Sequence, residues 1–301
     1  MERMEPINEP VRRRNRVLSD RSKMKRTIGN PGSGLANGRL RRIEGRHNTL
    51  VKELRRAFAQ GELTEEGYCA IEGMRIVEEA IRSGLRFHAV FFSDSAENRA
   101  ERLLPQMGAH VETLLLPDKL FASLVPSETP QGVAALVGCK KFKLEEALPR
   151  AEGGPLVAVA GVQDPGNLGT ILRSAEAFGA SGVVVGEGTV SQFNSKAVRA
   201  SAGSVFRLPV VRGKLGEVAG LLRDRGVRLI ATSSHKGTRL DEAKLAGPIA
   251  LFIGSEGAGL PRDLMSKMDE VIAIPHAPQV ESLNAGVAAS IVLYEVARQR
   301  Q

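Results

Sequence analysis

Six short apolar runs recur through the second half of the chain, each separated from the next by a helix-like segment. They are LVAVAG (156–161), GVVVG (182–186), VFRLPVV (205–211), VRLIAT (227–232), PIALFIG (248–254) and EVIAIP (270–275). Runs that are apolar along their whole length predict strands buried on both faces, as in a parallel sheet covered by helices. Ligands bind such sheets at the carboxyl ends of the strands, so functional residues are expected in the loops that follow these runs.

The first half of the chain alternates helix-like and strand-like segments in a different way. Helical spacing covers 46–60, 73–83, 97–107 and 118–124, and strand-like runs cover 68–73, 87–92, 110–116 and 132–138. These segments predict a small α/β domain over residues 43–140. The charged stretch 141–154, which ends in two glycines, predicts a linker to the second domain over 155–301.

The net charge of the chain is concentrated at its N-terminus. The sequence contains 42 Lys and Arg against 34 Asp and Glu, a formal net charge of +8. Residues 1–42 hold twelve basic and four acidic residues, so residues 43–301 carry no net charge. With few apolar residues and no aromatic residue, this segment predicts a disordered tail. Its clustered basic residues favour RNA or phosphate binding, and a solubilising extension is the alternative.

The sequence also disfavours three classes of protein. No apolar run approaches the roughly 20 residues of a membrane-spanning helix, and the N-terminus lacks the apolar core of a signal peptide. We therefore expect a cytoplasmic protein with no membrane partner. Cys69 and Cys139 are too few for a disulfide framework and are not spaced as a metal-binding pair, so we expect no bound metal.

The loop after the first apolar run of the second half leads into a helix predicted over 168–178. Asn167 is placed to cap that helix, and Arg173 lies opposite its apolar stripe. Taken alone, the pattern favours an ordinary capped helix in which Arg173 pairs with Glu176.

Two further loops follow buried runs and carry polar residues. In GSEGAG (254–259), Glu256 lies between glycines that allow a ligand to approach the backbone, although a tight turn needs the same glycines. The absence of a following Lys-Ser/Thr disfavours a nucleotide hydrolase. In ESLNAG (281–286), Ser282 is a natural N-cap for a C-terminal helix whose apolar positions cover more than one face.

In this order, the three loops resemble the three motifs of the SpoU-type RNA ribose 2'-O-methyltransferases of the SPOUT superfamily. The matching residues are Asn167 with Arg173, then Gly254, Glu256, Gly257 and Gly259, then Ile274 and Pro275 followed by Glu281, Ser282, Leu283 and Asn284. The resemblance covers about 155–301. Pro278 departs from it, because family members commonly have glycine at that place.

A less specific likeness relates residues 46–138 to the accessory RNA-binding domain of the same family. It is carried by Ile71-Glu72-Gly73 and by Glu128-Thr129-Pro130-Gln131-Gly132. The segment NSKAVRASAG (194–203) also resembles a family segment near the RNA. That likeness makes Lys196 and Arg199 candidate phosphate contacts, with a solvated helix face as the alternative.

The resemblance implies a catalytic domain whose C-terminal segment passes through a trefoil knot and forms a pocket for S-adenosylmethionine, with no metal. It implies that four residues line this pocket, namely Thr232, Gly254, Ile274 and Leu283. It implies a catalytic set of Asn167, Arg173, Glu256, Ser282 and Asn284. Arg173 would act on the ribose hydroxyl either as a base or as a stabiliser of the developing alkoxide. Because arginine stays protonated in proteins, we favour the second role.

The implied function is 2'-O-methylation of a ribose in structured RNA. Ribosomal RNA is the favoured substrate and transfer RNA the alternative. A homodimer through the catalytic domain is expected, because the C-terminal helix has more apolar surface than one sheet can cover. A different hypothesis is a catalytically inactive RNA-binding or ribosome-assembly factor that has kept the fold.

Overall fold

The computed structural model describes residues 38–149 and 153–300. Its N-terminal sheet is mixed and has the strand order β1-β4-β3-β5-β2. The strands are β1 (Arg41–Arg42), β2 (Tyr68–Glu72), β3 (Arg86–Ser93), β4 (Glu112–Leu116) and β5 (Val133–Gly138). β4 runs parallel to β1 and β3, whereas β5 is antiparallel to both of its neighbours, β2 and β3. The prediction of a small α/β unit in this half of the chain therefore agrees with the sheet that forms.

Four helices cover the two faces of this sheet. They are α1 (Thr49–Gln60), α2 (Met74–Arg82), α3 (Asn98–Leu103) and α4 (Asp118–Ala122). The buried residues of α1 and α4 pack on one face, and those of α2 and α3 pack on the other. The start of α1 follows from Asn48, whose side chain accepts hydrogen bonds from the backbone N–H groups of Leu50 and Val51. The helix ends at Gly61, which adopts a left-handed conformation with φ +62°.

The C-terminal sheet has seven strands, and all of its neighbouring pairs are parallel. In chain order they are β6 (Leu156–Val159), β7 (Gly182–Val185), β8 (Val210–Arg212), β9 (Arg228–Ser233), β10 (Thr238–Arg239), β11 (Ile249–Ile253) and β12 (Glu270–Ala273). Their spatial order is β10-β12-β9-β11-β6-β7-β8. The predicted parallel sheet is confirmed. The short edge strand β10 was not predicted from the sequence.

Helices cover both faces of the parallel sheet. They are α5 (Leu144–Ala147), α6 (Pro165–Ala177), α7 (Ser195–Ala200), α8 (Ser204–Arg207), α9 (Leu215–Asp224), α10 (Arg262–Met265) and α11 (Ala285–Arg298). Successive residues of a strand point to opposite faces, so Val157 and Val159 pack in the layer of α6, α7, α8 and α11. Leu156 and Ala158 pack in the layer of α5, α9 and α10. This arrangement explains why the strands are apolar along their whole length.

One predicted strand, 205–211, is helical over its first half. Gly203 has φ +88° and starts α8, which ends at Arg207. Leu208 is then extended, as expected for a residue that precedes proline, and the strand begins only after Pro209. The strand prediction was therefore wrong for residues 205–207.

The predicted boundaries also differ from the structure on both sides of the N-terminal domain. The predicted linker 141–154 contains α5, whose Ala147 is fully buried and packs so closely on Gly182 that a Cβ there would lie 2.6 Å from the Ala147 Cβ. The last residues of the predicted tail are also folded. Arg39 donates to the carbonyls of Leu104 and Gly108, and Arg41–Arg42 pairs with β4. The rest of the tail prediction, residues 1–37, lies outside the described residues.

Among the residues that the structure describes, three ion pairs join the two domains. They link Arg199 to Glu72, Arg207 to Glu79 and Arg212 to Glu62, at 3.3–3.5 Å. Their arginines come from α7, α8 and β8 of the C-terminal domain.

None of the helices in residues 38–149 and 153–300 is both long and apolar enough to span a bilayer.

Candidate active site

A cavity of about 350 Å³ opens where β9, β11 and β12 end. Its walls combine apolar side chains of α11 with the backbone of the loop after β11. All four residues that the resemblance implies for cofactor binding, Thr232, Gly254, Ile274 and Leu283, line it. A volume of roughly 300–1,000 Å³ is usual for pockets that bind small organic molecules.

The loop after β11 folds back on itself so tightly that residue 254 has to be glycine. A Cβ at Gly254 would lie 2.2 Å from the carbonyl carbon of Gly259. Gly259 has φ +64°, and its N–H donates to the carbonyl of Ser255 at 3.0 Å. The tight loop therefore presents backbone polar groups to the cavity.

Helix α6 begins at Pro165, earlier than the sequence predicts, and Asp164 rather than Asn167 is its N-cap. The Asp164 side chain accepts hydrogen bonds from the backbone N–H groups of Gly166 and Asn167, and proline at the first helical position suits the start of a helix. The Lys196 ammonium, whose Nζ lies 3.1 Å from Asp164 Oδ2, lowers the pKa of Asp164, and these backbone contacts lower it further. Because Asp164 provides the cap, the Asn167 side chain is free to make other contacts.

The N-cap of α11 is Asn284, so the prediction of Ser282 was wrong as well. Asn284 Oδ1 accepts from the backbone N–H of Val287, and Asn284 Nδ2 donates to Asn167 Oδ1 at 2.7 Å. Asn167 Nδ2 in turn donates to Glu256 Oε1. The three side chains therefore form one directed chain of hydrogen bonds that ends on a carboxylate. It joins the loops after β6, β11 and β12.

Two close helix contacts fix α6 within this site. A Cβ on Gly286 of α11 would lie 3.0 Å from the Cβ of Thr170, and a Cβ on Gly169 would lie 2.5 Å from the carbonyl oxygen of Ala197 on α7. Both glycines allow backbones to approach to a distance that a larger residue would prevent. Helix α6 is therefore held between α11 and α7.

Two members of the implied catalytic set lie outside the hydrogen-bonded chain. Arg173 is exposed on α6, and in the described part of the protein no hydrogen bond or ion pair engages its guanidinium. The alternative pairing with Glu176 does not form, because Arg207 of α8 takes both Glu176 oxygens at 2.7 and 2.8 Å. Ser282 is exposed and lines the cavity.

The two candidate RNA contacts lie on α7, beside the start of α6. Lys196 pairs with Asp164, and Arg199 pairs with Glu72 of the N-terminal domain at 3.5 Å. More than a third of each side chain remains exposed. Both cations are therefore ordered by carboxylates and still accessible.

Comparison with known proteins places this site in a family. Residues 155–294 match the family model described as SpoU rRNA Methylase family, and residues 48–135 match the MRM3-like substrate binding domain. A Bacillus subtilis relative named 23S rRNA (guanosine(2553)-2'-O)-methyltransferase RlmP is 33% identical over 257 residues, covering 85% of this chain and 99% of the relative. The chain belongs to the SpoU rRNA methylase family.

Solved structures of other family members show the same architecture. An AdoMet-bound rRNA methyltransferase from Sinorhizobium meliloti superposes with a TM-score of 0.75 at 28% identity, over 87% of this chain and 98% of that one. The SpoU methyltransferase AviRb from Streptomyces viridochromogenes, in complex with AdoMet, gives a TM-score of 0.74 at 29% identity, over 84% and 98%. This SpoU chain therefore shares its fold with these proteins over most of its length.

Two histidines outside the implied site residues also line the cavity. His276 Nδ1 lies 2.7 Å from the carbonyl of Ile274, while its Nε2 is buried without a hydrogen-bond partner among the described residues. Its ring is 5.1 Å from that of His235, which lies in the loop after β9. Sequence reasoning could have identified His235 as a cavity residue from its position just after a buried strand.

Within residues 38–149 and 153–300, no group of three or more His, Cys, Asp or Glu side chains is arranged to hold a metal ion.

Proposed function

We propose that the chain transfers a methyl group from S-adenosylmethionine to the 2'-hydroxyl of a ribose in structured RNA, with ribosomal RNA as the substrate. The observation that carries this proposal is the meeting of the cavity with the Asn284–Asn167–Glu256 chain of hydrogen bonds. Glu256 belongs to both. The relative from Bacillus subtilis is named for this reaction on 23S rRNA. A ribosomal RNA substrate places the activity in the cytoplasm.

The residues of the cavity fit the proposed methyl donor. Gly254 lets the loop close tightly against Gly259 at the cavity wall, Ile274 and Leu283 supply apolar walls, and Thr232 adds a hydroxyl. The unpartnered Nε2 of His276 adds one buried polar group to the same wall. S-adenosylmethionine, when bound, supplies a methyl group on a sulfonium, which is already activated for transfer. The protein is therefore required mainly to align the reacting atoms.

The 2'-hydroxyl must lose its proton to solvent water as its oxygen takes the methyl group and the S–CH3 bond breaks, and we assign the stabilisation of the developing negative charge to Arg173. Its guanidinium is protonated, exposed and free of any partner among the described residues. A fixed positive charge beside a developing alkoxide lowers the barrier more than it stabilises the neutral hydroxyl. Asn167, Glu256, Ser282 and Asn284 would hold the ribose and the neighbouring phosphate in line.

The dimer and the knot belong to the same proposal. Val287, Ile291 and Tyr294 form an exposed apolar stripe on α11 at helical spacing, with 37–55% of each residue exposed. We assign this stripe to a homodimer interface through the catalytic domain. We assign a trefoil knot to the segment between β12 and α11, which contributes Ile274, Ser282 and Leu283 to the cavity.

Replacement of Arg173 tests the proposed chemistry. With unmodified 23S rRNA transcript and labelled S-adenosylmethionine, the unaltered protein should form a 2'-O-methylated nucleotide, detected by mapping the modified site. Arg173→Ala should lower kcat by at least about 100-fold, while calorimetry gives a cofactor Kd within about twofold of the unaltered value. Arg225→Ala, at an exposed arginine after α9, is the control and should retain full activity.

The mechanism is wrong if Arg173→Ala methylates at close to the original rate. Methylation of transfer RNA in place of ribosomal RNA would keep the chemistry and change the substrate. Failure to bind S-adenosylmethionine would instead favour an inactive RNA-binding factor.

A further inference from the structure

The junction between the domains contains a buried carboxylate that the proposed mechanism does not use. Glu72, the last residue of β2, is 3% exposed. Ser127 Oγ donates to Glu72 Oε2 at 2.7 Å, and Arg199 Nη1 of α7 lies 3.5 Å from the same oxygen. Within residues 38–149 and 153–300, Arg199 is the one cation that pairs with it. A buried carboxylate depends strongly on such a partner, because an uncompensated charge in the protein interior is costly.

Arg199 keeps most of its binding capacity after this contact. Its guanidinium has five N–H donors, and the contact with Glu72 involves one of its nitrogens. Lys196 lies three residues earlier on α7, so the two side chains project from neighbouring positions on the helix surface. The charged ends of both therefore lie at the outer edge of the junction, where a phosphodiester backbone can reach them.

Helix α7 also contacts the active-site helix directly. Lys196 pairs with Asp164, the N-cap of α6, and Gly169 of α6 packs against the backbone of α7 at Ala197 and Ser201. A contact that fixes α7 therefore also supports α6, which carries Asn167 and Arg173. The two sequence segments that resemble the accessory domain meet here as well, because Gln131 Oε1 accepts from the N–H of Met74, two residues after Glu72.

We propose that Glu72 is a positioning residue for the substrate RNA. Through the Glu72–Arg199 pair, the N-terminal domain fixes the Arg199 guanidinium where it binds a backbone phosphate beside Lys196. The ligand chemistry is a phosphodiester of the RNA strand that crosses the domain junction. This inference rests on the proposed function.

A neighbouring pair provides a matched control. Arg207 of α8 reaches Glu79 at 3.3 Å across the same junction, but Glu176 also binds its guanidinium through two hydrogen bonds. Arg207 therefore has fewer donors left for a phosphate than Arg199 has. Glu79→Gln removes an interdomain carboxylate without changing the Arg199 site.

The experiment measures RNA affinity and its dependence on salt. Glu72→Gln removes the charge but can still accept the Ser127 hydrogen bond. With unmodified 23S rRNA transcript, Kd should rise about three- to tenfold, and the slope of log Kd against log salt should fall by about one, as expected for one lost phosphate contact. KM for the RNA should rise with kcat within about twofold, and the calorimetric Kd for S-adenosylmethionine should not change.

A double-mutant comparison tests whether Glu72 acts through Arg199. Arg199→Gln should weaken RNA binding at least as much as Glu72→Gln, and the combined variant should bind no more weakly than Arg199→Gln alone. Ser127→Ala gives a second route, because it removes the hydrogen bond that orients Glu72 without changing any charge. It should cause a smaller loss of affinity that also disappears in the Arg199→Gln background.

Simple electrostatics gives the opposite sign, which makes the inference falsifiable. Removal of a negative charge near RNA should tighten binding if Glu72 does no more than screen Arg199. Tighter or unchanged binding by Glu72→Gln, an additive double mutant, or an equal loss in Glu79→Gln would each overturn the proposal. If the unaltered protein binds RNA and S-adenosylmethionine but forms no methylated product, the proposed function fails while these binding measurements still decide the role of Glu72.

Discussion

The two domains place their polar side chains in different parts of the fold. In the C-terminal domain, Glu256 and Asn284 lie 89 and 117 residues after Asn167 in the sequence. Their side chains are nevertheless joined to that of Asn167 by hydrogen bonds. All strands of that sheet are parallel, so the loops after them meet at one edge. In the N-terminal domain, β5 is antiparallel to β2 and β3, so the loop after β5 emerges at the edge opposite to the loops after β2, β3 and β4. Its buried carboxylate, Glu72, instead faces α7 of the other domain. The comparison supports the proposals that the parallel sheet carries the chemistry and that the mixed sheet acts through the junction.

The largest effect on cofactor affinity is expected from a substitution that adds one methyl group to the loop after β11. Gly254→Ala places a Cβ 2.2 Å from the Gly259 carbonyl carbon, so the loop has to move and the cavity changes shape. We expect the calorimetric Kd for S-adenosylmethionine to rise by at least about 100-fold, a loss of about 2.7 kcal/mol.

Gly257→Ala is the matched control for this prediction. It lies in the same loop, and a Cβ there meets nothing within 4 Å. The control should bind the cofactor as the unaltered protein does. Equal losses in the two variants would show that the loop tolerates no change at all, and the argument from close approach would fail.

The sequence predicts the strands of the C-terminal sheet well because the signals are local. Continuous apolar runs mark the strands, and the loops after them contain the polar residues. The helix caps were assigned wrongly because each loop offers more than one capping residue. In the first loop, Pro165 at the first helical position favours Asp164 and leaves Asn167 inside the helix. That difference decides whether the Asn167 side chain serves the backbone or the site.

Contacts between distant segments were beyond sequence reasoning. Glu176 lies three residues after Arg173 on one helix, yet it pairs with Arg207, which α8 brings beside it. The start of α8 depends on Gly203, and Pro209 lies in the turn from α8 into β8, whereas the apolar pattern alone indicated a continuous strand. The Glu72–Arg199 pair joins residues 127 positions apart and follows only from the packing of the two domains.

A substitution at the N-cap of α11 separates catalysis from stability within the C-terminal domain. Asn284→Asp keeps the oxygen that accepts from Val287 but loses the amide that donates to Asn167. Asn and Asp are equally good N-caps, so the unfolding free energy should change by less than about 0.5 kcal/mol. We expect kcat/KM to fall about tenfold or more, because the chain of hydrogen bonds is broken. An active Asn284→Asp enzyme would show that this chain has only a structural role.

A substitution in the apolar stripe on α11 tests whether the C-terminal domain forms the proposed homodimer. Ile291→Lys places a charge among Val287, Ile291 and Tyr294, so the dissociation constant of the proposed dimer should rise at least about tenfold, or about 1.4 kcal/mol. Sedimentation at micromolar concentration would measure this change. Arg225→Glu, which also alters surface charge, should leave self-association unchanged. A monomeric unaltered protein would refute the interface.

The smallest effect concerns the basic segment that precedes the N-terminal sheet, and two truncations isolate it. Removal of residues 1–37 deletes nine of the twelve basic residues of the predicted tail and leaves Arg39 and β1 in place. RNA affinity should fall only about three- to tenfold in low salt and hardly at all in high salt, because contacts of this kind depend on counterion release. The melting temperature and the cofactor Kd of this shorter truncation should not change.

Removal of residues 1–42 should in addition lower the melting temperature, since it also deletes β1 and the Arg39 hydrogen bonds to Leu104 and Gly108. If the shorter truncation impairs cofactor binding, the basic segment reaches the catalytic domain, and the division of roles between the two domains needs revision.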